Sequence, residues 1–205
     1  MTETMATVTS NVAEDYLNRP DSCGPAVAVS DLKIMSEDGA TELPIGEVGE
    51  LWARGPQIVK GYWNRPDATA DTFVDGWVRT GDLARVDDEG FCFIVDRAKD
   101  MIIRGGENLS PVEIENYLLM HPDITEAAVI GLPDAHYGEE VCAVLRASHS
   151  AHASPEEIRA WVSERISRWK VPRYVVFVEA MPLTPSGKIK KFELRATMTI
   201  KTPKP

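Results

Sequence analysis

Two copies of one helix-opening device, set around short apolar runs, constrain this chain more than any other feature. Ser110-Pro111-Val112-Glu113 and Ser154-Pro155-Glu156-Glu157 each combine an N-cap serine, a proline at the first helical position and a capping-box glutamate. The first predicts a helix to about Met120. The second predicts a helix whose Ile158, Trp161, Val162 and Ile166 share one face at 3.6-residue spacing. Between them AAVIGL (127–132) and VCAVL (141–145) read as strands, and YVVFV (174–178) reads as a third. IKKFELRATM (189–198) closes the pattern as a short helix. Residues 99–205 therefore predict a compact α+β domain, two capped helices on a three-stranded sheet.

The first half has a different grain. DLKIM, ELWAR, WVRTGDLARV and FCFIV are short strand candidates, separated by SEDGA, LPIGEVG, the Pro66 stretch and DDEG, all rich in chain breakers. Such a meander predicts a small, mostly antiparallel sheet. Charge divides at the same place: residues 1–98 carry eight Lys and Arg against eighteen Asp and Glu, whereas residues 99–205 carry fourteen of each. The resulting net charge of −10 argues against a nucleic-acid partner or an anionic membrane. Cys23, Cys92 and Cys142 are too widely spaced for a metal site or a disulfide framework, so reduced, mostly buried thiols are expected. MTETMATVTSN has neither the basic nor the apolar stretch of a secretory signal, and no apolar run is long enough to span a bilayer. A cytosolic protein is the expectation.

Four stretches are candidates for chemistry. Arg79-Thr80-Gly81-Asp82 reads as a strand closed by a glycine turn that leaves a carboxylate exposed; an ionised Asp accepts at two oxygens and suits a vicinal diol. Asp96-Arg97-Ala98-Lys99-Asp100 is a charge run at the composition change. Ile103-Arg104-Gly105-Gly106-Glu107-Asn108 ends a strand with a glycine pair, which permits positive φ or close approach to a ligand. Pro182-Leu183-Thr184-Pro185-Ser186-Gly187-Lys188-Ile189 presents one lysine behind a Ser-Gly pivot. Taken singly, each also reads as an ordinary turn, connector or solvated lysine.

Taken in order, they resemble the carboxyl-terminal part of the acyl- and aryl-CoA synthetases of the adenylate-forming superfamily. WVRTGDLARVDDEGFCFIVDRAKDMIIRGGENLSPVEIE looks like that family's longest signature, GELWARGPQIVKGYWN precedes it, and PLTPSGKIKKFELR follows. Met1-Thr2-Glu3-Thr4 looks like the latter part of the family's aromatic-Gly-Met-Thr-Glu motif. The resemblance implies two α+β parts. Residues 1–98 would be the C-terminal β subdomain of the large AMP-binding domain. Residues 99–205 would be the mobile C-terminal domain, with a hinge at Lys99 and a disordered tail over 199–205.

It implies roles as well. A carboxylic acid, most simply a fatty acid, would be activated by ATP to an acyl-adenylate and passed to coenzyme A. Asp82 and Arg97 would hold the ATP ribose, Thr2 would contact phosphate, and Glu3 would help hold Mg²⁺. Lys188 would be the catalytic lysine of adenylation. Gly105, Gly106, Glu107 and Asn108 would line the pantetheine tunnel. The family's Gly-rich Ser/Thr phosphate loop and acyl pocket precede the Met-Thr-Glu segment and do not occur in these 205 residues. The missing N-terminal region is thus an implied partner, self-association is a possibility, and the chain alone is expected to be inactive. An aryl-CoA ligase, a carrier-loading adenylation domain and a non-catalytic remnant stand as alternatives.

Overall fold

The computed structural model describes residues 1–148 and 153–201. They form two compact units, Met1–Lys99 and Asp100 onward. The structure is α+β, with one five-stranded sheet in each unit.

In the first unit the strands are β1 (Asp31–Met35), β2 (Gly49–Arg54), β3 (Phe73–Val74), β4 (Trp77–Val86) and β5 (Cys92–Arg97). They lie in the order β1-β2-β4-β3, with β5 also paired to β4, and every pairing is antiparallel. Two short helices, α1 (Ala13–Asn18) and α2 (Pro66–Thr72), complete the unit. The Pro66 stretch, expected to be a breaker, opens α2 instead. A proline in the first helical turn has the required φ and loses no bond, because the N–H it lacks would be unpaired there. Its main buried cluster is small: Ile34, Leu51, Ala84 and Cys92, flanked by Leu32, Leu43 and Val86, while Met35, Trp52, Ala53, Val78 and Phe91 are buried outside it.

The second unit contains β6 (Ile102–Arg104), β7 (Glu107–Leu109), α3 (Pro111–Leu119), β8 (Ile124–Asp134), β9 (Gly138–Ala147), α4 (Pro155–Ser163), β10 (Tyr174–Phe177) and α5 (Lys191–Lys201). Strand order is β10-β9-β6-β7, with β8 on β9; only the β10–β9 pair is parallel. The sheet thus has five strands where three were expected. The strand read before the glycine pair is β6, which joins this sheet, and β7 is new; each has three residues, and the Gly105-Gly106 turn links them. Both N-caps form, but only the second closes as the expected box, because the Glu113 carboxylate is taken by Lys170 Nζ at 2.6 and 2.8 Å. The Ser110 side chain accepts from the Glu113 N–H, and Ser154 and Glu157 close a reciprocal capping box. An N-cap of this kind is worth about 1 kcal/mol. α4 ends at Ser163, so Ile166 lies beyond it, yet still packs against the same core.

The continuous apolar runs have a simple cause: β8 and β9 are covered on both faces. Val129, Val141, Ala143 and Leu145 pack with Ile114 and Leu118 of α3 and Ile158 and Val162 of α4. Ala128, Ile130, Cys142 and Val144 point the other way and pack with Leu194 and Met198 of α5. Alternation by two then leaves no polar face to show in the sequence. Of the expected tail, residues 199–201 continue α5, and residues 202–205 lie outside the described residues.

All three cysteines are free. Cys92 and Cys142 are buried, and burial pushes each thiol up to about 12. The thiolate is the reactive form, and at pH 8 such a group is ionised in about one molecule in ten thousand. A colorimetric thiol reagent at pH 8 is expected to label only Cys23 in the folded chain, and all three cysteines after denaturation. Rapid labelling of Cys142 without unfolding would contradict this burial.

Candidate functional site

The first unit's site is built on an irregularity in β4. On β2, Glu50 and Trp52 oppose Leu83 and Arg79 respectively, so Leu51 stands opposite three residues, Thr80, Gly81 and Asp82. The strand does not end at the glycine, as expected; it bulges there and continues to Val86. Gly81 has φ of 71°, a left-handed value that glycine adopts without strain. A second register shift, in the β4–β5 pairing, lies just beyond Leu83. Asp82 is the last residue of the first bulge, opposite Arg97.

Asp82 Oδ1 accepts a hydrogen bond from Arg97 Nε at 2.8 Å, which leaves Oδ2 without a partner among the described residues. The Asp82 side chain is 24% exposed and that of Arg97 49%, so the pair is reachable from solvent. Arg97, Gly81 and Thr80 line a cleft of about 450 Å³ with Glu3 and Tyr62. Glu3 is held there by its neighbours. Its carbonyl accepts from Val59 N at 2.9 Å, and its Oε1 accepts from the Tyr62 hydroxyl at 2.7 Å. The Tyr62 bond, with smaller help from the Arg97 guanidinium, holds the Glu3 carboxyl below the usual carboxylate range, against the opposing effect of partial burial. Thr2 is exposed in the short 3₁₀ turn Thr2–Thr4, beside this cleft in sequence but not among its lining residues. Lys99 is exposed and is the last residue of the first unit, within a single 3₁₀ turn, Ala98–Asp100.

In the second unit Gly105 and Gly106 are the two residues of the β6–β7 hairpin turn, with φ of 61° and 88°. Positive φ at both positions is the requirement of the tight turn that matches strand twist. They differ in surroundings. A side chain on Gly105 would meet the Trp169 ring at 3.1 Å, whereas one on Gly106 would enter open space. Glu107 and Asn108 are exposed on β7. The turn is anchored through its neighbour Arg104, whose guanidinium forks onto the buried Glu140 with two bonds of 2.9 Å. Arg104 also lies 4.1 Å from the Trp169 ring centroid and 4.6 Å from that of Tyr137.

Beside it opens a cleft of about 580 Å³ lined by Arg104, Arg159, Arg168 and Arg173, among others. Arg173 pairs with Asp134 and Glu140; Arg159 and Arg168 have no carboxylate partner among the described residues.

Lys188 is exposed at the end of a closed loop. Thr184 N donates to Lys188 O at 2.8 Å, and Lys188 N donates to Thr184 Oγ1 at 3.0 Å. Gly187, with φ of 82°, makes the reversal. Behind the loop Lys191 pairs with Glu115 at 2.7 Å, fixing the start of α5 to α3.

The structure therefore groups Glu3, Asp82 and Arg97 in one unit, and carries Lys188 and the Gly105–Asn108 hairpin in the other. Sequence reasoning gave no role to Tyr62, to Glu50 or to the arginine cleft. A lone glutamate two residues before Trp52, next to the apolar run Leu51-Trp52-Ala53, was the available signal for Glu50, since positions two apart share a face. The arginines come from β6, α4, the turn after α4 and the residue before β10, and have no common spacing.

Comparison with known proteins agrees with this layout. Residues 1–63 match the family model described as AMP-binding enzyme, and residues 113–188 match the AMP-binding enzyme C-terminal domain. Mouse mitochondrial medium-chain acyl-CoA ligase ACSF2 is 44% identical over 199 residues, 96% of this chain and 32% of that protein. Long-chain-fatty-acid–CoA ligase FadD13 of Mycobacterium tuberculosis is 42% identical over 204 residues, 100% of this chain and 40% of its own length. The solved structure of Bacillus subtilis o-succinylbenzoate CoA synthetase with its acyl-adenylate intermediate superposes with a TM-score of 0.86 at 34% identity, covering 97% of this chain and 39% of that one. The chain spans 32–40% of the length of these curated relatives. With both family models present in order on an α+β framework, the chain belongs to the AMP-binding, adenylate-forming enzymes.

Proposed function

We propose that this chain supplies the ribose-binding pair, the adenylation lysine and the thiol-entry turn of an AMP-forming fatty-acid–CoA ligase. The observation that carries the reading is the Asp82–Arg97 pair. A carboxylate with one oxygen available and the other tied to a guanidinium, Arg97, which lines a cleft with Glu3, suits a ribose diol with phosphates close by. The names of the relatives at 42–44% identity support fatty acids over aryl acids.

In the first half-reaction the substrate carboxylate attacks the α-phosphorus of ATP. An acyl–O–P bond forms, the bond to the β-phosphate oxygen breaks, and pyrophosphate leaves. Asp82 and Arg97 fix the nucleoside so that the phosphorus lies in line with the attacking oxygen. Glu3 is the chain's carboxylate for Mg²⁺, an ion that takes one or two carboxylates and completes its shell with substrate phosphates and water. Its ionised, hydrogen-bonded side chain fits that donor type. The ion would neutralise phosphate charge. The Lys188 ammonium, on a preformed loop and with no carboxylate partner among the described residues, offsets the charge that gathers as two anions meet. Thr2 adds a hydroxyl toward phosphate.

In the second half-reaction the thiol sulfur of coenzyme A attacks the acyl carbon. A C–S bond forms, the C–O bond to AMP breaks, and the thiol proton is lost. Gly105 and Gly106 give the pantetheine arm a turn without side chains, bordered by Glu107 and Asn108. The open space at Gly106 supports this role. Arg159 and Arg168 suit the phosphates at the nucleotide end of coenzyme A. Lys99, ending the first unit, is the pivot by which the family exchanges the two half-reactions. Three free thiols are in keeping with a reducing cytosol.

Three outcomes test the reading. In a fusion of this chain behind the preceding region of the M. tuberculosis relative, Lys188→Ala should slow acyl-dependent ATP–pyrophosphate exchange about 100- to 1,000-fold. It should leave thioester formation from supplied acyl-adenylate within about threefold; equal loss in both would refute the role. Gly106→Asn should do the reverse, since asparagine accepts the left-handed turn while placing a side chain in the open space. Loss of exchange with thioesterification intact would exclude the tunnel. The 205-residue chain alone, which has no Gly-rich phosphate loop, should show no exchange with any fatty acid. Activity abolished by Lys188→Ala would disprove that.

A further inference from the structure

Setting Leu51 against three residues of β4 removes their regular ladder partners, and buried or half-buried backbone groups need replacements. Side chains supply them. The Thr80 hydroxyl donates to Leu51 O at 2.7 Å and accepts from Asp82 N at 3.1 Å, so one oxygen ties the bulge to the neighbouring strand and to its own far end. Glu50 Oε1 accepts from Gly81 N at 3.3 Å. That carboxylate is 7% exposed and cannot drift: its Oε2 accepts from Trp52 Nε1 at 3.0 Å, from Arg79 Nε at 3.0 Å and from Arg79 Nη2 at 2.8 Å. Gly81 would meet nothing if it carried a side chain, so its requirement is the φ of the bulge, not room.

We infer that Thr80 and Glu50 are positioning residues of the nucleotide site, locking the Thr80-Gly81-Asp82 bulge so that Asp82 faces Arg97 with one oxygen available. The inference rests on the ribose role proposed above for Asp82. Its physical basis is the two-residue period of a strand: a slip of one residue turns a side chain to the opposite face. A bulge that relaxed toward regular pairing would carry Asp82 away from Arg97. Thr80 is the sharper of the two levers, because its hydroxyl contacts only backbone and can be removed without leaving a charge unpaired.

The test compares Thr80→Ser, which keeps the hydroxyl, with Thr80→Val, which keeps the shape, and with Asp82→Ala. In the fusion protein, Thr80→Val should raise the KM for ATP about tenfold with kcat little changed, the scale of one or two lost hydrogen bonds. Thr80→Ser should return it to within about twofold of wild type. In the 205-residue chain, amide exchange followed by NMR should show Asp82 N–H protection lost in Thr80→Val and kept in Thr80→Ser. Should Thr80→Val disturb folding, Thr80→Ala removes the same hydroxyl without adding a methyl group, and both measurements apply to it. An unchanged ATP KM in the hydroxyl-free variants, with Asp82→Ala raising it, would overturn the inference and spare the ribose reading. An unchanged KM in Asp82→Ala would defeat the ribose reading itself. A purely structural role for Thr80 would lower stability in Thr80→Val and Thr80→Ala without moving the KM.

Discussion

Leu51 on β2 faces three residues of β4, and the backbone groups freed by this mismatch have to be satisfied locally. That requirement draws together residues which otherwise look unrelated: a buried glutamate on β2, an arginine and a threonine on β4, and an indole. Asp82 and Arg97 then lie opposite one another by register. Their ion pair, half exposed, has little to add to stability in such a setting. Its value lies in direction: it occupies one carboxylate oxygen and sets the orientation of the other.

The second unit depends on two-sided burial of β9. Val141, Ala143 and Leu145 face one set of helices and Cys142 and Val144 the other, so the strand contributes apolar area to two clusters at once. A buried Val or Leu side chain is worth about 1.5–3 kcal/mol. The first unit's cluster contains only four buried residues, and its large apolar side chains are more often exposed, Trp63 at 91%. The two units thus rest on unequal cores. The richer core also accommodates a charged layer: Glu140, 1% exposed, is tolerated because Arg104 and Arg173 answer it.

What could be read from sequence was local. Ser110 and Ser154 announced their helices because a cap, a proline and a glutamate fall within four residues and need no distant partner. The apolar runs of β8 and β9 were equally legible. Pro66 misled because a proline that breaks and a proline that opens a helix look alike until the next turn forms. Gly81 misled for a related reason: R-T-G-D suits both a turn and a bulge, and only the partner strand decides. β7 escaped because a three-residue strand carries no period, and the strand read before the glycine pair gave no sign of which sheet it joins. The candidate site shows the same divide. The residue types at Glu3, Asp82 and Arg97 were visible. That Tyr62 bonds Glu3, and that Glu50 supports Gly81, depends on register and chain path, which no local pattern encodes.

The loop that carries Lys188 is closed at both ends by Thr184, through a backbone bond and a side-chain bond, with Gly187 making the reversal. Fixing one residue's backbone costs about 1–2 kcal/mol in lost conformational freedom, and here folding has already met that cost for several residues. What stays free is the lysine side chain, whose rotamers carry about 2 kcal/mol more. An ammonium so mounted searches only its own four-carbon arm when it meets an anion. The entropy that opposes its engagement is therefore that of one side chain, not of a loop.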